Sequence, residues 1–158
     1  MLVTIMSARS EVVESQHRAS KVAENPPADP KVAEIHFRSK LAYETDPSDV
    51  YTDLENNATG ILVIDARTQD AYARGHVPGA INLPYRKIDS STTSGIPKDK
   101  VLVTYCHGVQ CNASTKAALR LAALGFHVKE MLDGIKGWKL EGYPIEETLV
   151  QISPKATS

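Results

Sequence analysis

Two cysteines, Cys106 and Cys111, bracket the segment CHGVQC and are the only ones in the chain. Cys106 directly follows the apolar run VLVTY (101–105), and Asn112 opens the clearest helical pattern, NASTKAALRLAALG (112–125). A thiol between the end of a buried strand and the start of a helix stands where ligands bind in open α/β sheets. The loop between them must turn sharply, which Gly108 eases. Such a loop can curl its N–H groups into an anion-binding nest, with the helix N-terminus adding positive potential. Free cysteine ionises near pH 8.5, and a site of this kind brings that to about 3.5–7.5. The chemistry on offer is nucleophilic: a Cys106 thiolate, with the loop from Gly108 through Val109 and Gln110 to Cys111 holding an anion, and His107 attracting it. The same spacing also suits a buried small hydrophobe, a common fate of free cysteine.

Other residues offer less. Asp65 closes the run ILVID (61–65), and Arg67 follows two positions on. Arg67 reads either as an anchor paired with Asp65 or Asp70, or as a group that meets substrate. His76 lies in the turn GHVPGA and reads as structural, bonded to backbone. His17, His36 and His127 have no ligand spacing, so neither metal nor cofactor is expected. Trp138 with Tyr143 reads as packing for the last helix, or else as a ring of the substrate pocket.

The elements that would position these groups follow from hydrophobic patterning. ILVID, VLVTY and FHVKEM (126–131) read as buried strands, and LAYET (41–45) as a short one. Asp46 caps a helix that has Pro47 at its first position and Asp49 in its first turn. QDAYARG (69–75) reads as a short helix, IKGWKLEG (135–142) as the last. Ala117, Ala118, Leu121, Ala122 and Leu124 give the 112–125 helix its apolar face, and Gly125 stops it. GHVPGAINLP (75–84) reads as turn, short strand and turn, and 90–100 as a polar loop. The alternation predicts an α/β fold with a mostly parallel central sheet and helices on both faces. Residues 1–40 form a helical or partly disordered arm with helical patterns at about 9–24 and 31–39. Its thin stripe of Val12, Val13, Val22, Val32 and Ile35 suits docking better than a core. The main domain is expected at 41–148, with a flexible tail at 149–158.

Composition narrows the function classes. The 158 residues match about one domain of roughly 100–200 residues. A formal net charge of −1, from 18 basic and 19 acidic side chains, gives no footprint for nucleic acid or an anionic membrane. Two cysteines exclude a disulfide scaffold and a four-cysteine zinc site. No apolar run reaches a membrane span, and MLVTIM is too short for a secretory signal. The expectation is a cytoplasmic protein.

From about residue 41 to 147 the chain resembles a single-domain rhodanese, of the thiosulfate sulfurtransferase superfamily. The residues that carry the resemblance are IDART (64–68), GHVPGAINLP (75–84), VLVTYC with its loop and helix (101–112), and LGFHVKEMLDGIKGWKLEGYP (124–144). KLAYETDPSDVY (40–51) also resembles a bacterial subgroup with an N-terminal helical extension. The resemblance implies that Cys106 takes a sulfane sulfur, becomes a persulfide, and passes the sulfur to a thiol or cyanide. The donor would be thiosulfate or a low-molecular-weight or protein persulfide. Asp65 and Arg67 correspond to the family's strand-end Asp-x-Arg.

The chain departs from the family pattern in three places. Cys111 stands where Ser, Thr or Arg is usual. It reads either as a small side chain chosen for size or as a resolving thiol that closes a disulfide with Cys106. Only His107 stands beside the nucleophile as a potential cation, which puts thiosulfate in question. Asp133-Gly134 replaces a Gly-Gly pair, a change that aspartate's tolerance of left-handed backbone permits. A phosphatase loop would end in arginine where this chain has the uncharged Asn112. The sequence therefore leads to a sulfurtransferase. The alternative is a redox-sensing or protein-interaction module that uses the Cys106/Cys111 pair. Donor, acceptor and oligomeric state are left open.

Overall fold

Five parallel strands form the centre of the computed structural model, which describes residues 20–148. In chain order the elements are α1 (Pro30–Tyr43), β1 (Glu44–Thr45), α2 (Pro47–Glu55), β2 (Ile61–Asp65), α3 (Gln69–Ala73), β3 (Ile81–Asn82), β4 (Val101–Tyr105), α4 (Ala113–Ala123), β5 (His127–Met131) and α5 (Gly134–Leu140). The strand order is β1-β5-β4-β2-β3, with every pairing parallel. β4, which carries Cys106 at its carboxyl end, is the middle strand.

Successive residues of a strand point to opposite faces, and both faces of this sheet are covered. Val63, Val103, Tyr105 and Met131 meet Val50, Ile135 and Trp138 on one face, beneath α2 and α5. Ile64 and Leu102 meet Ala117, Leu121 and Phe126 on the other, beneath α4. That arrangement explains why ILVID and VLVTY are unbroken apolar runs. α4 buries Ser114, Ala117 and Leu121, whereas Ala122, expected on its apolar face, is exposed. α2 starts as its sequence dictates, Asp46 accepting from the Asp49 N–H at 2.9 Å with Pro47 next in the chain.

The arm differs from its sequence reading in extent. Asp29 caps α1, which continues through Tyr43, past the expected boundary at residue 40 and through most of LAYET. Only Glu44 and Thr45 are left to pair, with Glu130 and Met131 at the sheet edge. α1 buries no residue, and Val32 and Ile35 are 59% and 67% exposed, so the stripe is not core. Residues 20–24 carry no helix. The rest of the 9–24 pattern, with Val12 and Val13, and the 149–158 tail lie outside the described residues.

Among the polar groups in the core, Asp65 is the most heavily bonded. Its carboxylate is fully buried and accepts from the Arg67 backbone N–H at 2.9 Å, from the Arg67 guanidinium, and from Tyr105 Oη at 2.6 Å. Arg67 also donates to the Gly75 carbonyl at 2.7 Å, and Tyr105 Oη accepts from the Val77 N–H at 3.1 Å. The cluster ties the ends of β2 and β4 to the turn after α3. Arg67 is thus the structural anchor, with Asp65 as its partner, and Asp70 is not bonded to it. Breaking a buried pair leaves an uncompensated charge, at a cost of about 3–5 kcal/mol. Asp65→Asn should therefore lower unfolding free energy by about that amount, read by urea denaturation; a loss below about 1 kcal/mol would show that the pair does not anchor the sheet.

Candidate active site

Cys106 leaves β4 at the centre of the sheet, and the loop 107–111 returns the chain to the start of α4. Inside the loop the Cys111 N–H closes a turn onto the Gly108 carbonyl at 2.9 Å. On its other side the loop is fastened to α5: Ile135 N–H donates to the Cys106 carbonyl at 2.9 Å and Lys136 N–H to the His107 carbonyl at 3.0 Å. The first N–H groups of a helix have no partner within it; here the nucleophile's own backbone supplies one. Asp133 and Gly134 take the left-handed turn, with φ of 58° and 52°, that lets α5 approach.

The expected site residues do come together. His107, Gly108, Val109, Gln110 and Cys111 line one cavity of about 170 Å³. Lys136 lines it too. Sequence reasoning found no cation beyond His107, because Lys136 reaches the loop only through the docking of α5. Cys106 opens instead on a second cavity of about 220 Å³, shared with Cys111, Ser114, Glu130 and Asp133. A larger cavity of about 620 Å³, lined by Asp70, Tyr72, Asn82 and Lys87 among others, touches none of these loop residues.

Cys106 lines the cavity of about 220 Å³ while being only 2% exposed. Burial pushes its thiol up, against the pull of the Ser114 hydroxyl and the Ser114 and Gly108 N–H groups, so the lowered ionisation expected from the nest is not found. Nor does the loop offer only N–H groups. The Cys111 carbonyl stands 2.9 Å and the Gly108 carbonyl 3.9 Å from Cys106 Sγ, and the Cys111 N–H is spent within the loop. Cys111 itself goes the other way. Burial opposes its ionisation, but the Cys106 thiol, the Ala113 and His107 N–H groups and the Lys116 charge together bring it below its ordinary value. Both thiols are free.

Ser114 and Glu130 are the residues the sequence reading missed. Ser114 Oγ lies 3.2 Å from Cys106 Sγ and donates to Glu130 Oε1 at 2.6 Å; Thr115 donates to the same oxygen at 2.9 Å. The parallel register of β4 with β5 sets Glu130 beside Thr104, two residues before Cys106. The available signal was a carboxylate near the carboxyl end of a strand. Of the other residues singled out, His76 Nδ1 is 2.9 Å from the Tyr72 carbonyl, Trp138 is fully buried with its indole N–H on the Pro144 carbonyl at 2.7 Å, and Asp65 and Arg67 line neither loop cavity. Among the described residues no cluster of His, Cys, Asp or Glu could hold a metal ion, and no helix is long and apolar enough to cross a membrane.

Comparison with known proteins gives consistent matches. A family model described as "Rhodanese-like domain" matches residues 46–141. The crystal structure of the BH2092 protein from Bacillus halodurans aligns over 77% of this chain and 88% of its own, at 45% identity and a TM-score of 0.75. A protein named "Sulfurtransferase" from Allochromatium vinosum is 34% identical over 54% of this chain and 78% of its own length. The HTH-type transcriptional regulator Rv0324 of Mycobacterium tuberculosis is 31% identical over 64% of this chain, which spans only 46% of that regulator. The Escherichia coli protein YibN is 34% identical over 56% of this chain and 63% of its own length.

A Cβ added at Gly134 would sit 2.3 Å from the Cys106 carbonyl oxygen and 2.9 Å from its carbon, both backbone atoms that cannot swing aside. Gly134→Ala should cost about 2–4 kcal/mol, combining overpacking with a strained positive φ. It should also loosen the loop. Urea denaturation measures the first effect and faster hydrogen exchange at residues 106–111 the second; unchanged stability would show that α5 does not need this close approach.

Proposed function

The chain belongs to the rhodanese-like domain family, and on that footing we propose that it is a sulfurtransferase working through a persulfide on Cys106. The observation that carries this reading is the placement of Cys106. It stands at the carboxyl end of the middle parallel strand, between two N–H groups that face its sulfur, with a cavity in front of it. Relatives that bear the name sulfurtransferase support the reaction class.

The chemistry is a displacement at sulfur. Cys106, once deprotonated, attacks the outer sulfur of the donor. The new S–S bond forms as the donor's own S–S bond breaks, and its electron pair leaves on sulfite if thiosulfate is the donor, or on a thiolate if a persulfide is. The Gly108 and Ser114 N–H groups favour the anionic sulfur that results. An acceptor then attacks the outer sulfur: cyanide departs as thiocyanate or a thiol as a persulfide, and the Cys106 thiolate is restored. No cofactor is required by this sequence of steps. A second reading, a redox module based on the Cys106/Cys111 pair, is favoured by one observation, the presence of both free thiols on one cavity. Incubation with thiosulfate followed by intact mass separates them. Persulfide formation adds one sulfur, about 32 Da, whereas mild oxidation of the pair removes two hydrogens.

Cys106→Ser should abolish cyanide-dependent thiocyanate formation while leaving the urea midpoint nearly unchanged. Serine fills almost the same space, and its hydroxyl can keep the bond to the Cys111 carbonyl. Thiocyanate formation by the variant at more than about a tenth of the wild-type rate would remove Cys106 from its role.

Lys136 gives a further prediction, because thiosulfate is a dianion and the cavity at the loop has a fixed cation beside His107. An exposed charge contributes about 1 kcal/mol at most, or roughly five-fold in binding. Lys136→Gln should raise KM for thiosulfate about five-fold at low ionic strength, with kcat little changed. The difference should fade at high salt, as exposed-charge effects do. An unchanged KM at low salt would mean that Lys136 does not attract the donor.

A further inference from the structure

Cys106 and Cys111 differ in the features that govern thiol reactivity. Around Cys106 Sγ stand the Cys111 carbonyl, the Gly108 carbonyl and Ser114 Oγ. Ser114 has one hydroxyl proton, and it is given to Glu130 Oε1 at 2.6 Å. Ser114 Oγ is thereby held 3.2 Å from Cys106 Sγ. This is the environment of a resting thiol, 2% exposed, with a carboxylate one side chain away. Cys111 is only half-buried and lines both loop cavities, including the 170 Å³ one that Cys106 does not reach. Titratable groups face the pair from several elements. His107 from the loop and Lys136 from α5 line the cavity that Cys111 reaches and Cys106 does not, and Lys116 from α4 acts on Cys111. Glu130 from β5 and Asp133 from the turn before α5 line the cavity that both thiols share.

We propose that Cys111 is the entry thiol of this site: it takes the sulfane sulfur from an anionic donor and hands it to Cys106. The inference rests on the sulfur-transfer reading above. In the first step the Cys111 thiolate attacks the outer sulfur of thiosulfate or of a small persulfide. Cys111–S–S⁻ forms, and sulfite or the donor thiolate leaves with the electron pair of the broken bond. In the second step Cys106 attacks that outer sulfur, so the donor that Cys106 meets in the displacement described above is the Cys111 persulfide and the leaving group is the Cys111 sulfur. Its proton passes to the departing Cys111 sulfur, giving Cys106–S–S⁻ and Cys111–SH, with no oxidant or reductant consumed. The two cysteines line one cavity, and the Cys111 carbonyl stands 2.9 Å from Cys106 Sγ, which brings the two residues together as such a hand-over requires. A thiol reacts according to its thiolate fraction and its access, and on both counts Cys111 comes first. The Gly108 and Ser114 N–H groups then make Cys106 the place where the anionic persulfide rests.

The test compares wild type, Cys106→Ser and Cys111→Ser, each mixed with thiosulfate, quenched in time and mapped by peptide mass spectrometry. Cys106→Ser, without acceptor, should gain one sulfur on Cys111 at close to the wild-type loading rate. It should nevertheless pass that sulfur to cyanide at less than about a tenth of the wild-type rate, because the Gly108 and Ser114 N–H groups that favour the transferable persulfide act at position 106. Cys111→Ser should load Cys106 at least about tenfold more slowly. In wild type, iodoacetamide at pH 7 should modify Cys111 at least about tenfold faster than Cys106. Loading of Cys111→Ser at the wild-type rate, or preferential alkylation of Cys106, overturns the entry role and leaves the sulfurtransferase reading standing. Failure of wild type to take up any sulfur overturns that reading and the entry role with it.

Discussion

The contact between Gly134 and the Cys106 carbonyl governs the geometry of the whole site. With φ at 52° and no side chain, Gly134 lets the start of α5 come against the backbone of the nucleophile. Ile135 and Lys136 then spend their N–H groups on the Cys106 and His107 carbonyls, groups that would otherwise need water or a capping side chain. Two further consequences follow. The carbonyl of Cys106 is pinned toward α5, while its sulfur lies against Ser114 at the start of α4. Lys136, in the first turn of α5, is delivered to the mouth of the loop. Gly108 serves the same packing from the other side, since a Cβ there would stand 3.3 Å from the Asp133 carbonyl.

The rest of the fold holds that contact in register. Trp138 and Ile135 root α5 in the core shared with Val103 and Tyr105, so β4 and α5 move together. At the far end of the same cluster, Tyr105 Oη meets Asp65, which holds Arg67. Asp65 and Arg67 thus act at a remove from the reacting sulfur: they fix the strand end from which Cys106 departs. A buried pair of this kind seldom adds net stability, but it is costly to break, which makes it better suited to defining geometry than to strengthening the fold.

What the sequence revealed, and what it hid, divides along local and non-local interactions. β2, β4 and α4 were legible because a two-faced parallel strand must be apolar throughout and a helix must repeat its apolar side. The Asp46-Pro47 start and the Asp133-Gly134 turn were legible because capping and positive φ are properties of one or two residues. β1 was legible only in part: a short strand is expected at LAYET, but Leu41 to Tyr43 end α1, and only Glu44 and Thr45 pair, with Glu130 and Met131 more than eighty positions away. Ser114, Glu130 and Lys136 were missed for the same reason. Each reaches the loop through a register or a docking angle set elsewhere in the chain.

The ionisation of the two thiols shows how such non-local effects change the chemistry. A loop at a helix N-terminus argues for a low-pKa cysteine at its first position, and that argument counts only the favourable dipoles. Taking a thiolate out of water acts in the opposite direction. At Cys106 the desolvation wins, because the sulfur is covered and the neighbouring Cys111 thiol acts in the same direction. At Cys111 the Cys106 thiol, the Ala113 and His107 N–H groups and the nearby Lys116 prevail over burial, and the thiol keeps part of its contact with solvent. The loop therefore holds two thiols in different surroundings: a half-buried sulfur at its end and a sheltered sulfur at its beginning. In the sulfur transfer proposed above, shelter slows attack on a donor, yet it protects a persulfide from thiols in solution. Which property a site favours depends on how deep the strand end lies beneath its loop, and in this chain the approach of α5 at Gly134 sets that depth.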